Sequence, residues 1–153
     1  MTKHVRLGAG SGFWGDALDP AVELLEKGNL DYLALEYMAE LTMALLQRQK
    51  LKDPRLGFVP DLVPHMRALL PQARANGVKI VTNGGGANPR AAGERICDLA
   101  REMGLEGLKI AVIEGDDILP RLDELVRSGV DLTNLDTGET QFTGIRNRVV
   151  AAN

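Results

Sequence analysis

Residues 78–89 read VKIVTNGGGANP, an apolar run that ends at an asparagine and is followed by three glycines and an Asn-Pro pair. A short continuous apolar run is typical of a strand that is buried on both faces of a parallel sheet. Asn88 is a good helix N-cap and Pro89 suits the first helical position. The stretch therefore predicts a strand, a glycine-rich turn and a helix, which together form the repeating unit of an α/β fold.

The same order recurs along the chain. An apolar segment followed by an amphipathic one occupies residues 5–28, 31–52, 78–104 and 108–129. Such alternation implies parallel strands joined by right-handed crossovers. We therefore predict an α/β fold with an open, mainly parallel sheet of at least four strands, flanked by helices in a Rossmann-like three-layer arrangement. A further helix, kinked by Pro71, is predicted over about 61–75, and a last strand over 145–152.

Length and charge limit the classes of function. The 153 residues suit one domain, and the net charge of −3 without a basic block argues against nucleic acid or an anionic membrane as a partner. The sequence shows no signal peptide and no apolar run of the roughly 18 residues that a membrane span needs. We expect a single α/β domain over 1–153 in the cytoplasm. Cys97 is the only cysteine, so no intrachain disulfide and no cysteine-based metal site can form within one chain. We assign no metal-binding residue.

Two glycine-rich loops follow predicted strands. Gly8, Gly10 and Gly12 come after the first strand, and Gly84–Gly86 come after the third. Ligands of open parallel sheets bind at the carboxyl ends of the strands, where backbone N–H groups and helix N-termini can hold an anion. The alternative is that the glycines let a neighbouring helix pack closely. We predict an anion site whose ligand-binding residues are Gly10, Ser11, Gly12, Trp14, Asn83, Gly84, Gly85, Gly86 and Asn88.

Asp16 and Glu36 lie just past strand ends and are the candidate catalytic residues. Glu36 also lies where a ribose-binding acid is found in dinucleotide-binding folds. The first loop has two glycines of the pattern GxGxxG, but Phe13 replaces the third. A nicotinamide-dependent oxidoreductase is therefore an alternative function. His4 and His65 are expected to be exposed to solvent rather than catalytic.

Long stretches of the chain resemble a known family. They read GAGSGFWGDALDPAVELLEKGNLDYLALEYMAELTMALLQRQKLKDPRLGFVPDLV, GVKIVTNGGGANP and RVVAAN, and they resemble the N-terminal region of the acyclic terpene utilisation protein A (AtuA-like) family from about Leu7 to Asn153. The resemblance implies bacterial degradation of acyclic terpenes such as citronellol and geraniol, which proceeds through CoA thioesters. Family members are normally longer, so the resemblance also implies that this chain is the N-terminal part of a longer architecture.

Three classes of function follow. The first is an enzyme of the lyase/hydratase or hydrolase type that acts on an acyl-CoA or similar anionic substrate, with a CoA thioester as the candidate substrate and no covalent cofactor suggested. The second is the nicotinamide-dependent oxidoreductase. The third is a non-catalytic subunit or fragment that needs a partner chain. We expect a homo-oligomer, a missing C-terminal portion or a second subunit, because an exposed apolar edge strand invites association.

Overall fold

A computed structural model describes residues 4–138 and 142–153 of the chain. Two compact units are present, of which one ends at Ile113 and the other comprises Glu114–Asn153. The elements of the first unit alternate as predicted. In chain order they are β1 (Leu7–Ser11), α1 (Asp19–Lys27), β2 (Tyr32–Leu35), α2 (Glu40–Lys52), α3 (Leu62–Asn76), β3 (Lys79–Thr82) and α4 (Pro89–Glu102).

The sheet is open and parallel, with the strand order β1-β2-β3. The predicted α/β class, with a parallel sheet flanked by helices, is confirmed. α1 packs on β1 and β2, α3 packs on β3, and the two helices contact each other. Both crossover helices therefore lie on one face of the sheet. This follows from the strand order, because right-handed crossovers that advance in one direction place every helix on the same side.

The core lies between this face of the sheet and the helices. Leu33 of β2 and Leu69 of α3 are fully buried there, and Ala21 brings α1 close to β1. A Cβ atom at Gly10 would lie 2.8 Å from the Cβ of Ala21 and 2.9 Å from a methyl group of Leu35. Gly10 is thus required for the close approach of α1, because any side chain at this position would collide with the core.

The opposite face of the sheet is exposed. Leu7 is 73% accessible and Val81 57%, and Ala9 and Ala34 on the same face are exposed as well. Parallel sheets are usually covered on both faces, and the apolar strand sequences predicted such burial. That prediction is wrong for this face in the described residues, because helices on the second face require a crossover in the opposite direction.

Two predicted strands do not form. Residues 108–117 and 149–153 carry no regular structure, so the sheet of the described residues has three strands instead of four or more. The second unit contains a 3-10 turn (Leu119–Arg121), α5 (Leu122–Arg127), α6 (Phe142–Ile145) and another 3-10 turn (Arg146–Arg148). An apolar run becomes a strand only when a neighbour accepts its hydrogen bonds, and sequence alone does not provide that neighbour.

The remaining expectations concern helices. α3 occupies the predicted region and continues through Pro71 to Asn76. Asn88 caps α4 as predicted, and its side chain accepts a hydrogen bond from Ala91 N at 3.4 Å.

Within the described ranges, no helix has both the length and the apolar character needed to cross a membrane.

Candidate functional site

The carboxyl ends of the three strands meet along one edge of the sheet, which we call the strand-end edge (residues 11–16, 36–38 and 83–88). β2 lies in the middle, so its last residues separate the two glycine-rich loops. The Ser11 hydroxyl donates to the Glu36 carbonyl oxygen at 3.0 Å, and Asn83 Oδ1 accepts from Tyr37 N at 2.9 Å. Gly8 and Gly10, which were predicted to follow the first strand, lie within β1, so Gly12 is the residue of that set that belongs to the first loop. The two loops share one edge, and each is joined to the end of β2.

Asp16 stabilises the first loop. Its carboxylate accepts from Gly12 N and from Ala17 N, both at 2.9 Å. The Gly12 amide thus binds the carboxylate of the chain's own Asp16, and a ligand anion at this amide stays a prediction. Because both Asp16 oxygens are engaged by backbone amides, this carboxylate is poorly placed for proton transfer.

Glu36 is held differently. Its Oε1 atom accepts from Asn83 Nδ2 at 2.6 Å and from Met38 N at 2.7 Å. The Asn83 hydrogen bond lowers the pKa of the Glu36 carboxyl, partial burial opposes this shift, and the Met38 amide adds to it. The residue is exposed, and the hydrogen bonds from Asn83 and Met38 both end on Oε1. Glu36 therefore presents an ionised, oriented carboxylate at this edge.

The three glycines after β3 are packed tightly. A Cβ atom at Gly86 would lie 2.3 Å from Leu46 of α2, and one at Gly85 would lie 2.8 Å from Pro89. A Cβ atom at Gly84 would lie 3.0 Å from both Leu62 and Tyr37. Gly84 N donates to Thr82 Oγ1 and Gly86 N donates to Asn83 O, at 2.9 and 3.0 Å. Close packing thus accounts for this glycine run, as the alternative reading expected.

Asn88 also has a structural role. Its side-chain Nδ2 donates to the carbonyl oxygens of Pro54 and Leu56 at 2.8 and 2.7 Å, while its Oδ1 caps α4. The side-chain amide is therefore occupied by the chain. Of the predicted ligand residues, Ser11, Gly12 and Asn83 lie together beside Glu36.

Sequence reasoning missed a polar cluster under this edge. The fully buried Tyr37 places its hydroxyl 2.7 Å from Nδ1 of His65, a partly buried residue of α3. Asp61 accepts from the Trp14 indole Nε1 at 3.0 Å, which fixes the predicted aromatic wall of the first loop. His65 was expected to be exposed, and its contact with Tyr37 corrects this. One feature of the sequence does indicate part of this cluster. Asp61 and His65 are spaced i, i+4 at the start of α3, which places them next to each other on the helix surface.

The Tyr37 phenol is chemically perturbed. Burial raises the pKa of Tyr37 to about 12, the nearby Asp61 carboxylate raises it as well, and the Ser11 side chain lowers it. The phenol therefore stays protonated throughout the physiological range and can donate a hydrogen bond there.

A groove of about 410 Å³ lies next to the second glycine loop. Its walls include the apolar side chains of Leu56, Phe58, Pro60 and Val63, and its rim carries Arg55 and Arg95. Arg55 pairs with Asp53 at 2.9 Å and Arg95 pairs with Glu102 at 3.0 Å. The segment that forms this wall also contacts the glycine loop, because Val59 N donates to Gly84 O at 2.9 Å.

No group of three or more His, Cys, Asp or Glu side chains is placed to hold a metal ion in the part of the chain that the structure describes. Cys97 is a free, half-buried thiol.

Comparison with known proteins gives one match. No curated protein and no solved structure matches the chain. The family model of the acyclic terpene utilisation family protein AtuA matches residues 5–153, which is nearly the whole sequence. The chain therefore belongs to the AtuA family of acyclic terpene utilisation.

Proposed function

We propose that this protein acts on an acyl-CoA or a similar anionic substrate of acyclic terpene catabolism, and that the substrate binds at the strand-end edge. The observation that carries the proposal is the convergence of Ser11, Glu36 and Asn83 at the carboxyl ends of three neighbouring strands. Parallel α/β sheets bind their ligands at this end. Family membership supports the metabolic context.

Glu36 is the candidate general base. Its carboxylate is exposed and is oriented by hydrogen bonds from Asn83 and Met38 to Oε1. Both oxygens of Asp16, the other candidate, are bound by backbone amides. A base next to a thioester carbonyl suits a lyase or hydratase reaction, because the elimination direction of these reactions removes a proton from the α-carbon.

We assign the hydrocarbon part of such a substrate to the apolar groove beside the second glycine-rich loop. Leu56, Phe58, Pro60 and Val63 offer an apolar wall, and small-molecule sites are mostly apolar with few polar groups. Arg55 and Arg95 at the rim are cations that suit phosphate or carboxylate groups, once these groups compete with the internal partners Asp53 and Glu102.

A thermal-shift titration tests the substrate class. CoA, octanoyl-CoA, NAD⁺, NADP⁺ and inorganic phosphate are added separately to the full chain and to Glu36→Ala, with Glu40→Ala as the exposed acidic control. At 100 times its dissociation constant a ligand stabilises the fold by about 2.7 kcal/mol. We expect octanoyl-CoA to stabilise all three proteins. Stabilisation by NAD⁺ or NADP⁺ alone, lost in Glu36→Ala, would instead establish the oxidoreductase alternative, and no response to millimolar octanoyl-CoA would refute the proposal.

The uncovered sheet face favours a second candidate role, that of a subunit completed by another copy of the chain. Leu7, Ala9, Ala34 and Val81 form an exposed apolar strip, and association is the usual consequence of such a surface. Sedimentation velocity should show a mass above the 16.6 kDa of one chain. Val81→Lys should restore the monomer, whereas Leu51→Lys, at an exposed apolar residue of α2, should not. A monomeric wild type at micromolar concentration would contradict this role.

A further inference from the structure

The apolar groove beside the second glycine-rich loop has a wall that the backbone holds in place. Leu56, Phe58, Pro60 and Val63 form this wall around a volume of about 410 Å³, which is in the size range of small-molecule sites. Asn88 Nδ2 donates to Leu56 O at 2.7 Å and so fastens the wall to the loop. The groove is therefore built by hydrogen bonds as well as by apolar packing.

Arg95 of α4 lines this groove as part of a charged cluster. Its Nη1 atom donates to Glu102 Oε1 at 3.0 Å, and Nη2 of Arg67 on α3 donates to Glu102 Oε2 at 2.7 Å. Two guanidinium groups thus share one carboxylate, so the cluster keeps one positive charge that its own members do not neutralise. The bond to Glu102 also orients the Arg95 side chain.

Arg55, the other cation of the groove, has a different environment. Its Nε and Nη2 atoms bind the two oxygens of Asp53 at 3.1 and 2.9 Å, so this pair is neutral. The Arg55 side chain is 87% exposed, whereas that of Arg95 is 38% exposed. Water weakens charge interactions at an exposed side chain more than at a partly enclosed one. Arg95 is therefore the cation of this groove that is best suited to hold an anion.

We propose that the groove binds an apolar chain that ends in a carboxylate, and that Arg95 binds this carboxylate. The planar guanidinium group matches the geometry of a carboxylate, and the apolar wall covers the chain. Two sources offer this chemistry. One is a free acid, the product of thioester hydrolysis. The other is an acyl-CoA whose chain carries a second carboxylate, and in that case the inference rests on the proposed function.

A purely structural Arg95, which only joins α4 to α3 through Glu102, is the alternative. It predicts that substitution lowers stability but leaves the affinity for carboxylates unchanged. The same helix supplies a matched control. Arg101 is 76% exposed, pairs with Asp98 at 2.6 Å and is not among the residues that line the groove.

The test measures dissociation constants by isothermal titration calorimetry with the full chain. Octanoate is compared with 1-octanol, which has the same chain length and no charge, and octanedioyl-CoA is compared with octanoyl-CoA. We expect Arg95→Gln to weaken the binding of a carboxylate ligand about 10- to 100-fold and to leave 1-octanol unchanged. Arg101→Gln should stay within about twofold of the wild type for every ligand.

A second variant keeps the test independent of the stability of the first. Arg95→Lys retains the charge and loses the planar fork, so it should weaken carboxylate binding about threefold or more. It carries the test if Arg95→Gln does not fold.

The two pairs of ligands identify the source of the carboxylate. Octanoate binding that depends on Arg95 indicates a free acid. Tighter binding of octanedioyl-CoA than of octanoyl-CoA, with the difference lost in Arg95→Gln, indicates a thioester of a dicarboxylic acid. If neither carboxylate ligand binds, or if both keep their wild-type affinity in the folded Arg95 variants, the inference is refuted.

The outcomes also separate this inference from the proposed function. If octanoyl-CoA binds and no carboxylate ligand depends on Arg95, the inference is refuted and the substrate class stands. If octanoate binds through Arg95 and no acyl-CoA binds, the carboxylate site stands and the proposed function fails.

Discussion

The two glycine-rich loops look alike in sequence but differ in structure. The loop after β1 keeps open space around Gly12, where a Cβ atom would meet only Asp16 Oδ2 at 3.8 Å. The loop after β3 is filled, because Leu46, Leu62 and Pro89 occupy the volume that side chains on its glycines would need. A run of glycines therefore indicates a close approach, and only the surrounding elements decide whether a ligand or the protein makes it.

Substitution of one glycine in each loop tests this difference directly. The substitution in the loop after β3 should have the largest effect on the free energy of unfolding. Gly86→Ala places a Cβ atom against Leu46 and near the Gly57 carbonyl oxygen, at a backbone φ of +51°. We expect a loss of about 2–4 kcal/mol in the free energy of unfolding. Gly12→Ala should cost less than about 1 kcal/mol. Urea denaturation of both variants checks this, and equal losses would show that the loops do not differ.

Alkaline pH tests the buried residue between the loops. The folded-state pKa of Tyr37 is raised to about 12, above the value of about 10 for an unfolded tyrosine. The contribution of Tyr37 to the free energy of unfolding is therefore fully present below pH 10 and is lost as pH rises toward 12. The variant Tyr37→Phe has no phenol to ionise at this position and should not show this loss. Across that window the free energy of unfolding of the wild type should therefore fall by about 1–2 kcal/mol relative to that of the variant.

Tyr32 is the only other tyrosine of the chain. In the variant Tyr32→Phe, the phenolate absorbance therefore reports the ionisation of Tyr37 alone. A transition at the ordinary tyrosine pKa in the folded protein would contradict the burial of Tyr37 beside Asp61.

The Glu36–Asn83 hydrogen bond joins the end of β2 to the second loop. Its removal should have a smaller effect than the two changes above. Asn83→Ala removes the main cause of the lowered Glu36 pKa, so the carboxyl should titrate closer to its ordinary value in carboxyl ¹³C NMR spectra. In the wild type, the stabilising contribution of Glu36 is present above the unfolded-state pKa and is lost as pH falls through the folded one. Asn76→Ala, which removes a bond to Leu25 O at a distant site, is the control. An unchanged Glu36 titration would show that Asn83 does not orient this carboxylate.

Sequence patterns predicted the elements whose own residues specify them. β1, β2 and β3, the helices α1–α4 and the Asn88 cap follow from local periodicity and end signals. The missing strands over 108–115 and 145–152 depend on partners that lie elsewhere, so apolar character alone misled the prediction. The common edge of Ser11, Glu36 and Asn83 followed from parallel topology.

The part of the site that was missed depends on tertiary contacts. Tyr37 and His65 are 28 positions apart, and only the packing of α3 brings them together. Leu46 of α2 explains Gly86, yet nothing in the local sequence of either residue indicates the contact. Sequence periodicity therefore cannot predict contacts between residues that are close in space but distant in sequence.

The central claim is that ligands bind where Ser11, Glu36 and Asn83 converge, with the glycines of the second loop serving to pack the fold. Mapping of ¹⁵N–¹H chemical-shift changes on addition of octanoyl-CoA tests this most directly. The account predicts the largest changes at the amides of Ser11, Gly12, Glu36 and Asn83 and at the Trp14 indole. Changes confined to the opposite end of the sheet, around Tyr32 and Lys79, would contradict it.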